Sequence, residues 1–228
     1  MHKIYKVFLV FIIVIFPFSS NSHVEHYKDL NSIEFDIYRN NKFIGTHIFT
    51  FKELTDELHV KSLIKFQIKK LGVVLYKYYA EGTEIYKDNK LIKFNSKTKQ
   101  NKKEKYVNIE LNDVGEYEID GSSFKGIAAS DFLIGTWWNH SLVEAPAQIS
   151  AVSGRIINQK VKFLGKEKLI LNGENYNTLH FNFSSTDQKL GKDKKLNTDV
   201  WYDEKTLNWL KASFDKKGKW EYRLKHIK

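Results

Sequence analysis

Asp131 to His140 reads DFLIGTWWNH and sets an acid, a pair of indoles, an amide and an imidazole close together. Adjacent Trp137 and Trp138 offer broad apolar faces of the kind that stack on a sugar, seat in a membrane interface or cap a cavity. Asp131, Asn139 and His140 would supply polar contacts to whatever the indoles cover. The plainer alternative is structural: the indoles plug one open end of a sheet and His140 faces solvent.

Further along, NTDVWYD places Asp199 and Asp203 two residues either side of Trp201. In a strand all three share one face. Paired carboxylates beside an indole suggest glycoside hydrolysis, with one acid and one base or nucleophile. Same-face residues four apart lie about 13 Å apart at the backbone, too far for a retaining pair and marginal for an inverting one. Asp203 also suits the start of the turn Asp203-Glu204-Lys205. Neither carboxylate is therefore assigned a catalytic role, and Trp201 and Asp203 join the 131–140 group as candidate ligand contacts.

A third chemistry is copper binding. If a leader were removed after Ser22, the α-amine and imidazole of His23 could hold the ion, with His26, His47, His59 or His180 completing the site. No spacing fixes the second ligand, so no metal or other cofactor is assigned. The chain contains no cysteine, which excludes disulfides, thiolate zinc sites, iron–sulfur clusters, cysteine nucleophiles and a lipidated cysteine anchor. A glycine-rich phosphate loop, an HExxH helix and a G-x-S-x-G elbow are likewise missing.

Lysine and arginine number 37 against 27 acids, for a formal charge of +10. Only Arg39, Arg155 and Arg223 are arginine, and nucleic-acid readers favour the bidentate guanidinium, so no nucleic-acid partner is expected. The basic surface is either lysine serving as a general polar residue or a site for transient contact with anionic lipid headgroups or polysaccharide.

These groups need a scaffold, and the pattern around them is that of strands. The 228 residues include only Pro17 and Pro146 as prolines, with 14% aromatics, a balance that suits long strands. From Ile33 onward, alternating runs are separated by turn signals such as Asn40-Asn41, Asp88-Asn89, Asn172-Gly173 and Lys217-Gly218. Residues 122–153 do not alternate and are expected to form a short helical or irregular insert. In KWEYRL, Trp220, Tyr222 and Leu224 share one face and should pair with Leu210, Ala212 and Phe214 across the preceding turn. The expectation is all-β: a single strongly curved antiparallel sheet, like a half-barrel or open barrel, carrying that insert.

The N-terminus has its own organisation. Lys3 and Lys6 precede an uncharged run from Val7 to Phe18, and Ser19 to Ser22 follow. This is the order of a secretory signal peptide, with cleavage expected after Ser22. About 12 apolar residues are too few to span a ~30 Å hydrocarbon core, although an uncleaved anchor is the alternative. Residues 1–22 are thus read as signal peptide and 23–228 as one β-rich domain, periplasmic or secreted.

The C-terminal half resembles a catalogued bacterial group. TWWNHSLVE at 136–144, SGRIINQKV at 153–161 and VWYDEKTLNWLKASFDKKGKWEYRL at 200–224 carry the likeness. It is similar to domain-of-unknown-function family 6134, an exported group related in style to family 3108. Trp138-Asn139, Gly154-Arg155, Trp201-Tyr202-Asp203 and Tyr222-Arg223-Leu224 stand in the family's pattern, and Ile44-Gly45-Thr46 carries the weaker N-terminal match. The resemblance implies an exported β-rich protein with a curved sheet similar to lipoprotein-carrier folds, and no reaction.

Together these features favour a non-enzymatic protein that binds or carries an amphipathic envelope-derived ligand, a lipid or glycan, on the concave sheet face. Two alternatives stand beside it: an enzyme acting on envelope glycan through Asp131, His140, Asp199 or Asp203, and a structural or assembly factor with a protein partner. Oligomeric state is not legible.

Overall fold

The computed structural model describes residues 27–191 and 194–228. The leader expected at 1–22, together with His23 and His26, lies outside the described residues. The outward run comprises β1 (Ser32–Arg39), β2 (Lys42–Leu54), β3 (Glu57–Lys70), β4 (Val73–Lys87), β5 (Lys90–Gln100), β6 (Lys103–Leu111), β7 (Glu116–Gly121) and β8 (Lys125–Ala129). The return run comprises β9 (Leu133–Ile134), β10 (Ala147–Ile149), β11 (Ile156–Leu171), β12 (Glu174–Ser185), β13 (Asn197–Asp203), β14 (Trp209–Asp215) and β15 (Lys219–Ile227).

All fifteen join one open sheet, in the order β8-β7-β6-β5-β4-β3-β2-β1-β15-β14-β13-β12-β11-β10-β9. The chain meanders outward from the centre to β8, then returns from β9 at the other margin, so its first and last strands pair in the middle. Among the described residues every pairing is antiparallel except β9 with β10. Hairpin turns fall where the sequence marks them: Asn40, Asn41, Asp88 and Asn89 all take left-handed φ values between 48° and 64°, the twist that matches the flanking strands.

Register shifts at Glu34/Phe35, Ile68/Lys69, Phe163/Gly165 and Trp201/Tyr202 add local twist. The sheet curls until its margins touch without pairing into a barrel. Ser123 N donates to Ser153 O at 2.8 Å and Ser96 Oγ to Ala151 O at 2.6 Å. Gly121 and Gly154 meet backbone to backbone there: a Cβ on Gly121 would sit 2.7 Å from Ser153 O.

The curled sheet encloses an aromatic core. Phe35 stacks on Trp209 at 3.8 Å, and both are fully buried. The expected C-terminal pairing is present: Ala212 opposes Tyr222 and Phe214 opposes Trp220, whose rings stack at 5.9 Å and 10°.

The segment 122–153 differs from the irregular insert expected of it. It contains β8, β9 and β10 as well as a 3-10 turn at His140–Val143. These marginal strands span five, two and three residues, too short for alternation to declare itself. Conversely, β3 and β4 outrun their neighbours. β2 stops pairing at Phe66 and β5 at Tyr78, leaving residues 67–76 as a two-stranded ribbon unflanked by other strands.

Candidate functional site

The adjacent tryptophans part company. Trp138 is fully buried, edge-on to Tyr27, Phe51 and Tyr86. Its Nε1 donates to Glu84 Oε1 at 2.9 Å, Thr136 Oγ1 donates to the same oxygen at 3.1 Å, and Tyr86 OH donates to Oε2 at 2.6 Å. Burial raises the pKa of Glu84, and the three donors partly offset that rise. Glu84 therefore ties the 133–138 segment to β4 from inside the core.

Trp137 takes a left-handed φ of 62°, a conformation that a bulky residue adopts only at a cost. Its carbonyl is held by Tyr202 OH at 3.0 Å. The reversal sends its indole against Trp209, Tyr222 and Phe214, where it lines a cavity of about 200 Å³ together with His47, Tyr78, Thr98 and Gln148.

His47 is 4% exposed, and its Nε2 lies 3.0 Å from Ser62 Oγ. Burial lowers its pKa to about 3, so the imidazole is neutral at any physiological pH. Its Nδ1 and the Nε1 of Trp137 are buried and make no hydrogen bond among the described residues. Buried polar atoms usually have partners. With Thr98 Oγ1, three such atoms without partners stand around one aromatic cavity, which suits a ligand that is largely apolar and carries a polar group.

Tyr78 lines this cavity and also a larger groove of about 1100 Å³ at the base of the β3–β4 ribbon. Phe66 stacks on Tyr78 at 4.7 Å and 8° and continues the aromatic wall into the groove. Phe43, Ile44, Ile68, Leu75 and Tyr79 complete the apolar lining. Around them stand Arg39, Lys42, Lys65, Lys69, Lys70, Lys77 and Lys99, with no acid among the described lining residues. Lys99 pairs with Glu104 and Lys65 lies over the Tyr79 ring at 5.5 Å. The groove thus combines an apolar floor with a rim of one sign.

Of the candidate ligand contacts named from the sequence, Trp137 alone reaches the cavity; His47, named there as a copper candidate, lines it too. Asp131 is exposed on the connection between β8 and β9. Asn139 caps the 3-10 turn, its Oδ1 accepting from Ser141 N at 3.0 Å. His140 does not face solvent as the structural alternative had it: it is buried against Tyr202 at 4.7 Å and Phe181 at 5.9 Å.

Trp201 lies on the outer face, stacked on His180 at 4.1 Å, with Lys211 over its ring at 4.6 Å and its Nε1 bonded to Glu167. Asp203 is spent in its turn, where Oδ1 accepts from Thr206 N at 2.7 Å and Lys205 N at 3.0 Å. Asp199 accepts from Asn182 at 2.9 Å. His59 pairs with Glu57 and His180 with Glu167, and among the described residues no group of three or more such side chains is arranged to hold a metal.

Sequence reasoning passed over Glu84 and the groove lysines. Glu84 was detectable in principle: it shares strand parity with Ala80 and Tyr86, which are buried, and an acid at an inward position breaks the alternation. Nothing in the sequence gathers Arg39, Lys69 and Lys99 to one rim.

The chain belongs to the family described as domain of unknown function (DUF6134), whose model matches residues 35–225. No curated protein matches it. Among solved structures it is similar to a β-barrel-like protein of domain of unknown function DUF1849 from Brucella abortus, at 12% identity and a TM-score of 0.59, over 86% of this chain and 95% of that one. A putative exported protein with a YmcC-like fold from Bacteroides fragilis matches at 9% identity and a TM-score of 0.37, over 86% and 94%. The first likeness supports the fold alone.

Proposed function

We propose that this protein binds an anionic amphiphile, with the apolar part of the ligand on the aromatic inner wall and its acidic head at the lysine rim. The observation that carries this reading is the wall that groove and cavity share at Tyr78: cations line the groove without acids, and aromatic rings line the cavity. An apolar lining with a few placed polar groups is the usual make-up of a small-molecule site. The tripartite leader supports export, and an envelope lipid would then be the natural source of such a ligand.

The first test is binding of cis-parinarate, a fluorescent fatty-acid anion, against the corresponding uncharged alcohol. The anion should bind more tightly than the alcohol, and Lys65→Glu with Lys77→Glu should erase the difference. Equal binding of the two probes, or none, would sink the proposal. Mass spectrometry of natively purified protein would name a co-purifying lipid.

A further inference from the structure

The β3–β4 ribbon ends in LGVVL, residues 71–75. Leu71 is 95% exposed, Val73 62%, Leu75 55% and Val74 38%. Beyond the last flanking pairs the ribbon runs five residues to its turn, or roughly 16 Å at strand rise. A two-stranded ribbon without neighbours is marginal in water, and loading its end with aliphatic side chains makes it costlier still.

Basic and aromatic residues surround the aliphatic tip. Lys70 and Lys69 lie directly opposite Val73 and Val74, Tyr76 opposite Ile68 and Lys77 opposite Gln67, with Tyr78 and Tyr79 behind them; no acid occurs between Leu58 and Ala80. Aliphatic side chains at the very end, with lysines and tyrosines beside and behind them, match a bilayer interface, where aromatic rings sit at headgroup level and ammonium groups meet anionic phosphates. Lysine stems cover apolar surface while their ammonium groups reach the headgroups. A protein partner adding a strand to the ribbon would meet lysines along its edges, which oppose such pairing.

We infer that the tip of the β3–β4 hairpin docks on the surface of an anionic lipid bilayer, its aliphatic end entering the interface and its lysines meeting the headgroups. Docking this way sets the groove at the ribbon's base against the membrane, so a ligand would pass between lipid and groove without crossing open water. Leu71 and Val73 do not line the groove, whereas Lys69 and Lys70 do, so the aliphatic contacts separate docking from what fills the groove.

The test is co-sedimentation of the purified chain with vesicles of phosphatidylcholine containing phosphatidylglycerol, and with phosphatidylcholine alone. Leu71→Ser with Val73→Ser should weaken binding to the mixed vesicles at least tenfold. Lys69→Glu with Lys70→Glu should weaken it by a similar or larger factor, near fivefold for each lysine charge lost. Ile170→Ser, at another exposed strand end (71%), should change nothing.

Parinarate binding by the double-serine variant should stay at the parent level, which separates failure of the docking proposal from failure of the groove reading. Equal binding to both vesicle types would overturn the role of the lysines, and indifference to the double-serine change would overturn the tip as the contact. A dimer in vesicle-free solution that dissolves on the same change would assign the tip to self-association and overturn the inference outright.

Discussion

At the scale of single residues, the buried titratable groups give this protein opposing pH responses. His47, neutral in the fold with a pKa near 3, binds its proton more readily when unfolded. Its contribution to stability is therefore intact above about pH 6.5 and is lost as pH falls from there towards 3, on the order of 4 kcal/mol over that window. Glu84 acts in the other direction. Its raised pKa means that the folded state holds the proton more tightly, so stability declines as pH rises from the ordinary glutamate value through the raised one. Urea midpoints measured from pH 3 to 8 should show both slopes. His47→Gln should flatten the fall in stability towards acid, and Glu84→Gln the decline that sets in as pH rises from the ordinary glutamate value. The tryptophans should separate in the same assay. Trp138→Ala should cost about 3–5 kcal/mol of stability by opening the core and stranding Glu84. Trp137→Ala, with part of its ring against a cavity, should cost less and instead weaken parinarate binding.

Among the elements, the β2–β3 contact is the tightest restraint on the groove. A Cβ at Gly45 would overlap Lys65 O and lie 2.6 Å from Phe66 Cβ, and Lys65 and Phe66 both line the groove. Gly45→Ala should therefore destabilise by about 1–3 kcal/mol and should alter parinarate affinity as β3 shifts, readings obtained from one melt and one titration. The element pattern was largely legible beforehand. Alternation and paired turn residues announced the long hairpins, because a half-buried strand must alternate and a tight turn must carry residues tolerant of left-handed φ. The margins escaped notice: β9 spans two residues and β10 three, and their pairing exists only because the curled sheet brings them together.

For the molecule as a whole, the unusual fact is that its first and last described strands pair in the middle of the sheet. β15 lies between β1 and β14, with Phe35 opposite Leu224 and Ile37 opposite Tyr222. Removing residues 219–228 would unpair two neighbours at once and open the core beneath Trp209. Such a truncation should leave no cooperative thermal transition, as followed by near-ultraviolet circular dichroism. Charge acts at this scale too. With an excess of +10, the ligand anion and the bilayer should both be drawn from a distance. Raising salt from 50 to 500 mM should weaken vesicle binding more than it weakens parinarate already seated against the aromatic wall.

The amino-acid order alone determined the strand class, the curved single-sheet architecture, the family likeness and the pairing of the C-terminal aromatics, because these follow from local alternation and turn chemistry. It also brought forward Trp137 and Trp138 but could not tell them apart. Their separation depends on one left-handed residue and on Glu84, 54 positions from Trp138. The groove rim likewise draws Arg39 and Lys99 from strands four apart in the sheet. Contacts across a curled sheet depend on accumulated twist and register, which no local pattern records. Only the tertiary structure decided which side chains share a site.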